Sequence, residues 1–346
     1  MALAVVIPAH NAESTLPQCL EALLGNAVDD LEVIVVDDAS TDDTGETARS
    51  LGVKVVRRQV QGGPAVARNA GALATDAEVI LFVDADVAVA KDAVSRATAA
   101  FSADPGLGAL FGSYDASPLP GTLVSDYRNL LHHFIHQNAR PDSESFWAGC
   151  GAVRRSVLLS LGGFDERYRR PSIEDIELGY RMSQAGCRIR VDADLQCTHL
   201  KRWTFLSMVQ VDIRNRAYPW SRLLLARRSI PADLNVQLPH RASAVLVWVV
   251  SFSAVALPLS DARVWQVVFS LTVGAGAVSI VWLNWRFYRF LTNHRGPWFT
   301  VRAAWIHLLY YAYSSATFGW AWVQHRVASV FDGLRLRPMS RTRPHP

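Results

Sequence analysis

One stretch limits what this chain can fold into more than any other. Val79-Ile80-Leu81-Phe82-Val83 runs without a polar interruption into Asp84-Ala85-Asp86. A short apolar run rich in β-branched residues reads as a strand buried on both faces, which requires a layered α/β architecture around it. The two aspartates then stand at the strand's carboxyl end, the edge where open parallel sheets bind ligands. Two carboxylates that close do not both stay charged in apolar surroundings without compensation. A divalent cation is the simplest compensation, and hard oxygen ligands suit Mg²⁺ or Mn²⁺. The competing reading makes them turn residues after a core strand.

The units before this strand repeat one pattern. Residues 4–8 form a strand, and residues 13–24 an amphipathic helix with Ser14 or Thr15 as cap and Pro17 in its first turn. Residues 31–36 form a second strand, followed by Asp37-Asp38-Ala39-Ser40-Thr41-Asp42, a short helix and a third strand over 53–57. Gly62-Gly63-Pro64 then turns into a helix carrying Arg68. Alternating strands and helices predict a doubly wound, mostly parallel sheet. Its strands end at one edge in His10-Asn11, Asp37-Asp38 and Asp84-Ala85-Asp86. Asp37 is placed to accept hydrogen bonds from a base or ribose, and Arg68 to face a phosphate. Neither GxGxxG nor GxxxxGK[ST] is present, which removes the NAD-type and P-loop readings.

These segments resemble the successive motifs of family 2 glycosyltransferases, inverting enzymes of the GT-A fold that use nucleotide sugars. The motifs are Val6-Ile7-Pro8-Ala9-His10-Asn11-Ala12-Glu13, Val35-Val36-Asp37-Asp38-Ala39-Ser40-Thr41-Asp42, Gly63-Pro64-Ala65-Val66-Ala67-Arg68-Asn69 and Asp84-Ala85-Asp86. The likeness covers about residues 1–220. It implies that Asp37, Asp38, Pro8, Ala9, His10, Asn11 and Glu13 surround the nucleotide. It also implies that Asp84, Ala85 and Asp86 form the metal and diphosphate motif, with Mg²⁺ or Mn²⁺ as cofactor. His10 departs from the aromatic residue commoner at that place.

Farther along, residues 107–114 read as a strand. Residues 122–138 have helical periodicity, with Leu123, Tyr127, Leu130, Leu131, Phe134 and Ile135 on one face. His132 and His136 share a face of that helix, but no carboxylate or cysteine lies nearby in sequence, so they read as solvated or core histidines. Residues 146–155 read as a strand with small residues at its centre. Ser172-Ile173-Glu174-Asp175 opens a helix and approximates a capping box, and acidic residues there also complement the helix dipole. Trp147-Ala148-Gly149-Cys150-Gly151, then Gly162-Gly163-Phe164-Asp165-Glu166, then Glu174-Asp175 again resemble family 2. By that resemblance Asp175 is the catalytic base, with Glu174 beside it, and Trp147 and Gly149 lie on the acceptor or diphosphate side. After a strand from 188, His199 either completes the metal site or is a core histidine. Arg202 and Trp203 resemble part of the Arg-Trp motif of processive members, but the full Gln-x-x-Arg-Trp is missing.

The rest has a different composition. Half of all residues are hydrophobic, high for a soluble protein of 346 residues. Residues 221–241 form a basic juxtamembrane segment; nucleic acid would also attract it, but its Trp and Leu content favours lipid. Residues 242–260 and 264–283 are free of charge and long enough to span, with 303–323 as a third spanning or interfacial segment. Arg286, Arg289, Arg295 and Arg302 predict a cytoplasmic face after the hairpin, and a cytoplasmic catalytic domain in a multi-pass protein. Residues 326–346 read as a disordered basic tail. Cys19, Cys150, Cys187 and Cys197 make no CxxC pair and read as free thiols. The amino-terminal apolar run reads as a strand and not as a signal sequence.

The expectation is a membrane-anchored inverting glycosyltransferase using a nucleotide sugar, UDP being the commonest base in such enzymes. Its acceptor is a hydroxyl on a lipid or lipid-linked molecule, because a phosphate acceptor needs no base such as Asp175. The rival readings are a polyprenyl-phosphate glycosyltransferase, a non-catalytic membrane scaffold on the same fold, and a membrane-surface nucleotidyltransferase.

Overall fold

The computed structural model describes residues 1–26, 31–119, 121–227 and 237–335. Strands and helices alternate as β1 (Leu3–Ala9), α1 (Leu16–Leu24), β2 (Glu32–Asp37), α2 (Thr44–Ser50), β3 (Lys54–Arg57), α3 (Pro64–Leu73) and β4 (Val79–Val83). This half gives a parallel sheet in the order β3-β2-β1-β4. β4 is buried along its whole length. Val79, Leu81 and Val83 join one core while Ile80 and Phe82 join the other, and Val5 and Ile7 of β1 alternate with Val6 in the same way. The period of two thus fills both layers at once. Each such side chain contributes roughly 1.5–3 kcal/mol of burial.

The second half is mixed. β5 (Val87–Val89), α4 (Ala93–Ala103), β6 (Leu107–Tyr114), α5 (Leu123–Gln137), the short β7 (Asp142–Ser143), β8 (Cys150–Arg154), α6 (Arg155–Ser160), α7 (Glu174–Gln184) and β9 (Arg188–His199) continue the chain. The sheet extends as β4-β8-β6-β9-β5, with β8 antiparallel to β4 and β6, and β9 parallel to β6. The parallel character expected of the sheet therefore fills its first half and returns in the second only between β6 and β9.

Two local expectations are corrected. Only Cys150–Arg154 of the 146–155 segment is a strand. Trp147 folds back over the glycines: a Cβ on Gly149 would lie 2.6 Å from the indole, and one on Gly151 would lie 2.2 Å from the Trp147 carbonyl. Ser172 does not make a capping box with Asp175. Ile173 is the cap residue, and the Ser172 hydroxyl donates to the Asn215 carbonyl at 2.7 Å.

After β9 come α8 (Phe205–Val211), a π-helical turn (Asp212–Ala217) and α9 (Tyr218–Arg227). α10 (Leu238–Ala256), α11 (Arg263–Leu283), α12 (Trp285–Arg295) and α13 (Pro297–Arg335) follow. By length and composition, Leu238–Leu259 and α11 are apolar enough to cross a membrane. They pack closely, a Cβ on Gly276 falling 2.4 Å from Val250 Cγ2. Trp248, Phe252, Val255, Trp265, Leu271 and Trp282 remain exposed on them.

The third apolar segment, 303–323, is the middle of α13. Ala303 and Ile306 share a core with Tyr127, Leu130, Trp203, Met208, Phe287 and Leu291, so α12 and α13 are bound to the sheet domain. Residues 326–335 of the expected disordered tail are helical, continuing α13; residues 336–346 lie outside the described residues. Of the basic juxtamembrane segment, 221–227 lie in α9, Gln237 caps α10 and 238–241 begin it, while 228–236 lie outside the described residues. The four cysteines are free thiols.

Candidate active site

A cavity of about 980 Å³ opens at the carboxyl edge of the parallel strands. Pro8, Ala9, His10, Asn11 and Asp38 line one end; Asp84, Ala85, Asp86, Trp147, Glu174, Asp175 and His199 line its middle. Arg68 and Trp203 also face it. Asp37, Glu13, Gly149 and Arg202 do not.

The first end is built on saturated carboxylates. Asp37 closes β2, fully buried; it accepts from the Arg57 guanidinium at 2.9 Å and the Ser40 amide at 2.9 Å. Asp38 accepts from Arg58 at 3.1 Å and from the Gly62 and Gly63 amides at 3.0 and 2.7 Å, fixing the loop that starts α3. Asn11 and Ala39 hold positive φ of 50° and 58°, a local strain kept where two loops meet at the pocket. His10 Nδ1 lies 2.9 Å from the Asp38 carbonyl.

The centre is organised by Arg68. Sequence reasoning aimed this residue at a phosphate. In the structure its guanidinium, 4 % exposed, donates to Asp84 at 2.7 Å and to Glu174 at 2.8 Å. One buried cation therefore ties the aspartate motif after β4 to the acidic motif opening α7. Glu174 also accepts from the Ser172 amide at 2.8 Å. Asp175 accepts from the Ala148 amide at 3.1 Å and the Ile176 amide at 2.8 Å. Burial, and then the charge of Glu174, raise the Asp175 carboxyl to about 6, with Arg68 opposing. Burial likewise raises Asp84, again against Arg68. A carboxylate with an ionisation midpoint just below neutrality, on the wall of a cavity, has the properties of a general base.

Asp86 and His199 meet from different strands, His199 Nε2 lying 3.6 Å from Asp86 Oδ2. His199 Nδ1 contacts Asn129 Oδ1 at 3.1 Å, which calls for the proton on Nδ1 and turns Nε2 toward Asp86. Among the described residues, no three His, Cys, Asp or Glu side chains gather to hold a metal by themselves. One carboxylate and one imidazole do suit a divalent ion whose other ligands come from substrate phosphates and water. Asp84 stands beside this pair but is engaged by Arg68.

Several cavity residues were not visible in the sequence. Tyr114 at the end of β6 stacks on His199 with centroids 4.9 Å apart and meets Trp147 edge-on at 4.9 Å. His132 lines the cavity against Tyr114 and Trp147, its ring 3.9 Å from that of His136; neither is solvated, and burial holds His132 neutral. Tyr127, Arg128, Asp212 and Arg216 line the helix-side end. Tyr127 had appeared only as part of an apolar helix face, and no sequence signal marks a π turn.

The cavity does not stop at the sheet domain. It continues past Arg216 to His240, Ala244 and Val245 of α10 and to Tyr310, Ser314 and Phe318 of α13.

The sequence profile of "Glycosyl transferase family 2" matches residues 4–162. The probable glycosyltransferase YdaM of Bacillus subtilis (strain 168) is 30% identical over 204 residues, 54% of this chain and 48% of the relative. The pre-mycofactocin glycosyltransferase of Mycobacterium tuberculosis is 28% identical over 255 residues, 71% of this chain and 51% of the relative. The chain thus spans about half the length of these curated relatives. Among solved structures, the mannosyltransferase PcManGT from Pyrobaculum calidifontis, in complex with GDP-Man and Mn²⁺, superposes with a TM-score of 0.58 at 20% identity, covering 88% of this chain and 86% of that one. This likeness establishes a shared fold.

Proposed function

From the premise that residues 4–162 form a family 2 glycosyltransferase domain on the GT-A fold, we propose that the chain moves a sugar from a nucleotide-sugar donor to a hydroxyl of a lipid or lipid-linked acceptor, with inversion. One observation carries the acceptor assignment: a single cavity joins Asp84, Asp86 and Asp175 to the first turns of α10, a candidate span, and to α13 beside it. A soluble acceptor has no need of a passage lined by those helices.

In this mechanism the nucleotide lies along Pro8 to Asn11, with Asp38 beside it and Asp37 supporting the loop from beneath. Asp86 and His199, with Asp84 beside them, would hold a Mg²⁺ or Mn²⁺ ion, which offsets charge on the departing diphosphate. Asp175, aimed by two backbone amides, takes the proton from the acceptor hydroxyl as it attacks the anomeric carbon. Arg68 keeps Asp84 and Glu174 in fixed relation, so the donor and acceptor sides share one frame. Trp147 presents an apolar face to a sugar ring. The α10–α11 hairpin anchors the domain in the bilayer, with the catalytic face on the cytoplasmic side where arginines follow α11.

The test is a panel of nucleotide sugars with Mg²⁺ or Mn²⁺ and the detergent-solubilised protein, measuring nucleoside diphosphate release with and without membrane lipid extract. Lipid-dependent release from one donor, lost in Asp84→Ala and Asp175→Asn, is expected. Release from no donor overturns the proposal in favour of the scaffold reading. Pyrophosphate release from a nucleoside triphosphate overturns it in favour of a nucleotidyltransferase.

A further inference from the structure

The helix-side half of the cavity holds polar atoms that the mechanism above leaves unused. Tyr127 and Trp203 are 2 % and 7 % exposed and line the cavity. The Tyr127 hydroxyl and the Trp203 indole N–H have no hydrogen-bond partner among the described residues, and neither has Arg128 Nη2. Buried polar groups are nearly always paired, so three on one wall need an explanation.

Their chemistry is one-sided. An indole N–H and a guanidinium only donate, and a phenol donates readily. Charge on the wall is positive as well. The guanidinium of Arg128 lies 4.1 Å from the centroid of the Trp203 ring, and Lys201 Nζ lies 4.6 Å from it. The carboxylate on this wall, Asp212, is already bound by Arg128 Nη1 and by the Tyr313 hydroxyl, each at 2.7 Å.

Arg216, exposed at the cavity mouth, adds a positive charge. It comes from the π turn Asp212–Ala217, a rare element found mostly at functional sites. The turn is held at both ends of its role: Asp212 by Arg128 and Tyr313, and the Asn215 carbonyl by the Ser172 hydroxyl just before Glu174 and Asp175. Arg216 lines the cavity, and its charge acts on Tyr114 and His132 on the floor and on Tyr310 of α13. Among the described residues it pairs with no carboxylate, Asp212 being taken by Arg128.

We infer that Tyr127, Arg128, Trp203 and Arg216 form a second subsite of the cavity, which binds a phosphate group carried by the acceptor, between its lipid chain and the hydroxyl that Asp175 activates. The subsite rests on the lipid-directed reading above and narrows it to lipid-phosphate acceptors. Placement favours the acceptor over the donor as the source of the phosphate. Tyr127 and Trp203 share their core with α12 and α13, whereas the donor motifs lie on the β1, β2 and β4 side.

The probe is farnesyl phosphate, with farnesol as its uncharged counterpart, titrated calorimetrically into the full chain in detergent with chelator present. Wild type should prefer farnesyl phosphate over farnesol. Arg216→Ala should weaken farnesyl phosphate about tenfold or more, with Arg216→Lys restoring part of the loss. Uridine diphosphate with Mn²⁺ should bind wild type and Arg216→Ala alike. Equal affinity for farnesyl phosphate and farnesol, no loss in Arg216→Ala, or an equal loss for the nucleotide overturns the inference; the last would hand Arg216 to the donor. Should Arg216→Ala unfold, Arg216→Lys and Tyr127→Phe are read in its place, and unchanged affinity in both overturns it. The measurement needs no turnover. A protein that binds farnesyl phosphate through Arg216 yet releases nucleotide from no donor disproves the transferase proposal and leaves the subsite standing.

Discussion

The two ends of the cavity are built on opposite principles. At the proposed donor end and the centre, buried charges are met from within the chain: Asp37 by Arg57, Asp38 by Arg58 and two amides, and Arg68 by Asp84 and Glu174, with its Nε alone unpartnered among the described residues. At the helix end, the Tyr127 hydroxyl, the Trp203 indole N–H and one nitrogen of Arg128 have no partner among the described residues, and the exposed Arg216 pairs with no carboxylate among them. A saturated end is held in place before any ligand arrives. An unsaturated end sacrifices stability for a ligand of its own.

Removing the residue where the two ends meet should have the largest effect. Asp175→Asn keeps the shape but cannot take a proton, so steady-state transfer should fall by about 10²- to 10⁴-fold, with donor affinity unchanged by calorimetry. Transfer that tolerates the substitution would mean that the acceptor phosphate itself attacks, and the helix-end subsite would then be the nucleophile's seat. Next comes a contrast between two arginines. Arg68→Met strands Asp84 and Glu174 without their cation and should cost about 3–5 kcal/mol in urea unfolding. Arg216→Ala should leave the unfolding midpoint where it is. Equal losses in both would erase the distinction between the two ends.

A smaller effect is expected in the pH profile. Asp175 is held at about 6 by burial and by Glu174, and it acts as a base only when ionised. Transfer should therefore rise with pH through about 6 and level off above it. Arg68 opposes the rise in this carboxyl, so Arg68→Gln should move the acid limb to higher pH. A limb that stays in place would show that Arg68 does not act on Asp175 through its charge.

The strand-edge end of the cavity was readable from sequence because its signals are local. A buried strand must be apolar, its carboxyl end must carry the polar residues, and Gly63-Pro64 must start a helix; these follow from one segment at a time. The same locality explains the misplacements. Arg68 faces Glu174, 106 positions away, and no spacing rule reaches that far. Residues 146–149 look like strand because small residues are compatible with one; the Trp147 indole stacking back over Gly149 decides otherwise. Residues 303–323 read as spanning or interfacial from their apolar composition, and what the sequence leaves open is that Ala303 and Ile306 pack against the sheet domain. The helix end was hidden for a further reason. Its polar atoms are scattered over α5, the segment after β9 and the π turn, and what unites them is a shortage of partners, which only three dimensions reveal.

The finest test of that shortage is Tyr127→Phe. A buried hydroxyl without a partner costs free energy in the unliganded protein, so deleting it while keeping the ring should stabilise the fold slightly, by up to about 1 kcal/mol. The same deletion should weaken farnesyl phosphate binding, by a factor smaller than that for Arg216→Ala. Stability and binding thus move in opposite directions, which is the signature of a group kept for a ligand. A carboxylate-bound residue such as Tyr313, whose hydroxyl already donates to Asp212 at 2.7 Å, should behave the other way, Tyr313→Phe losing stability. If Tyr127→Phe also unfolds at lower urea than wild type, its hydroxyl has a partner in solution, and the contrast between a finished donor end and an unfinished acceptor end no longer holds at this position.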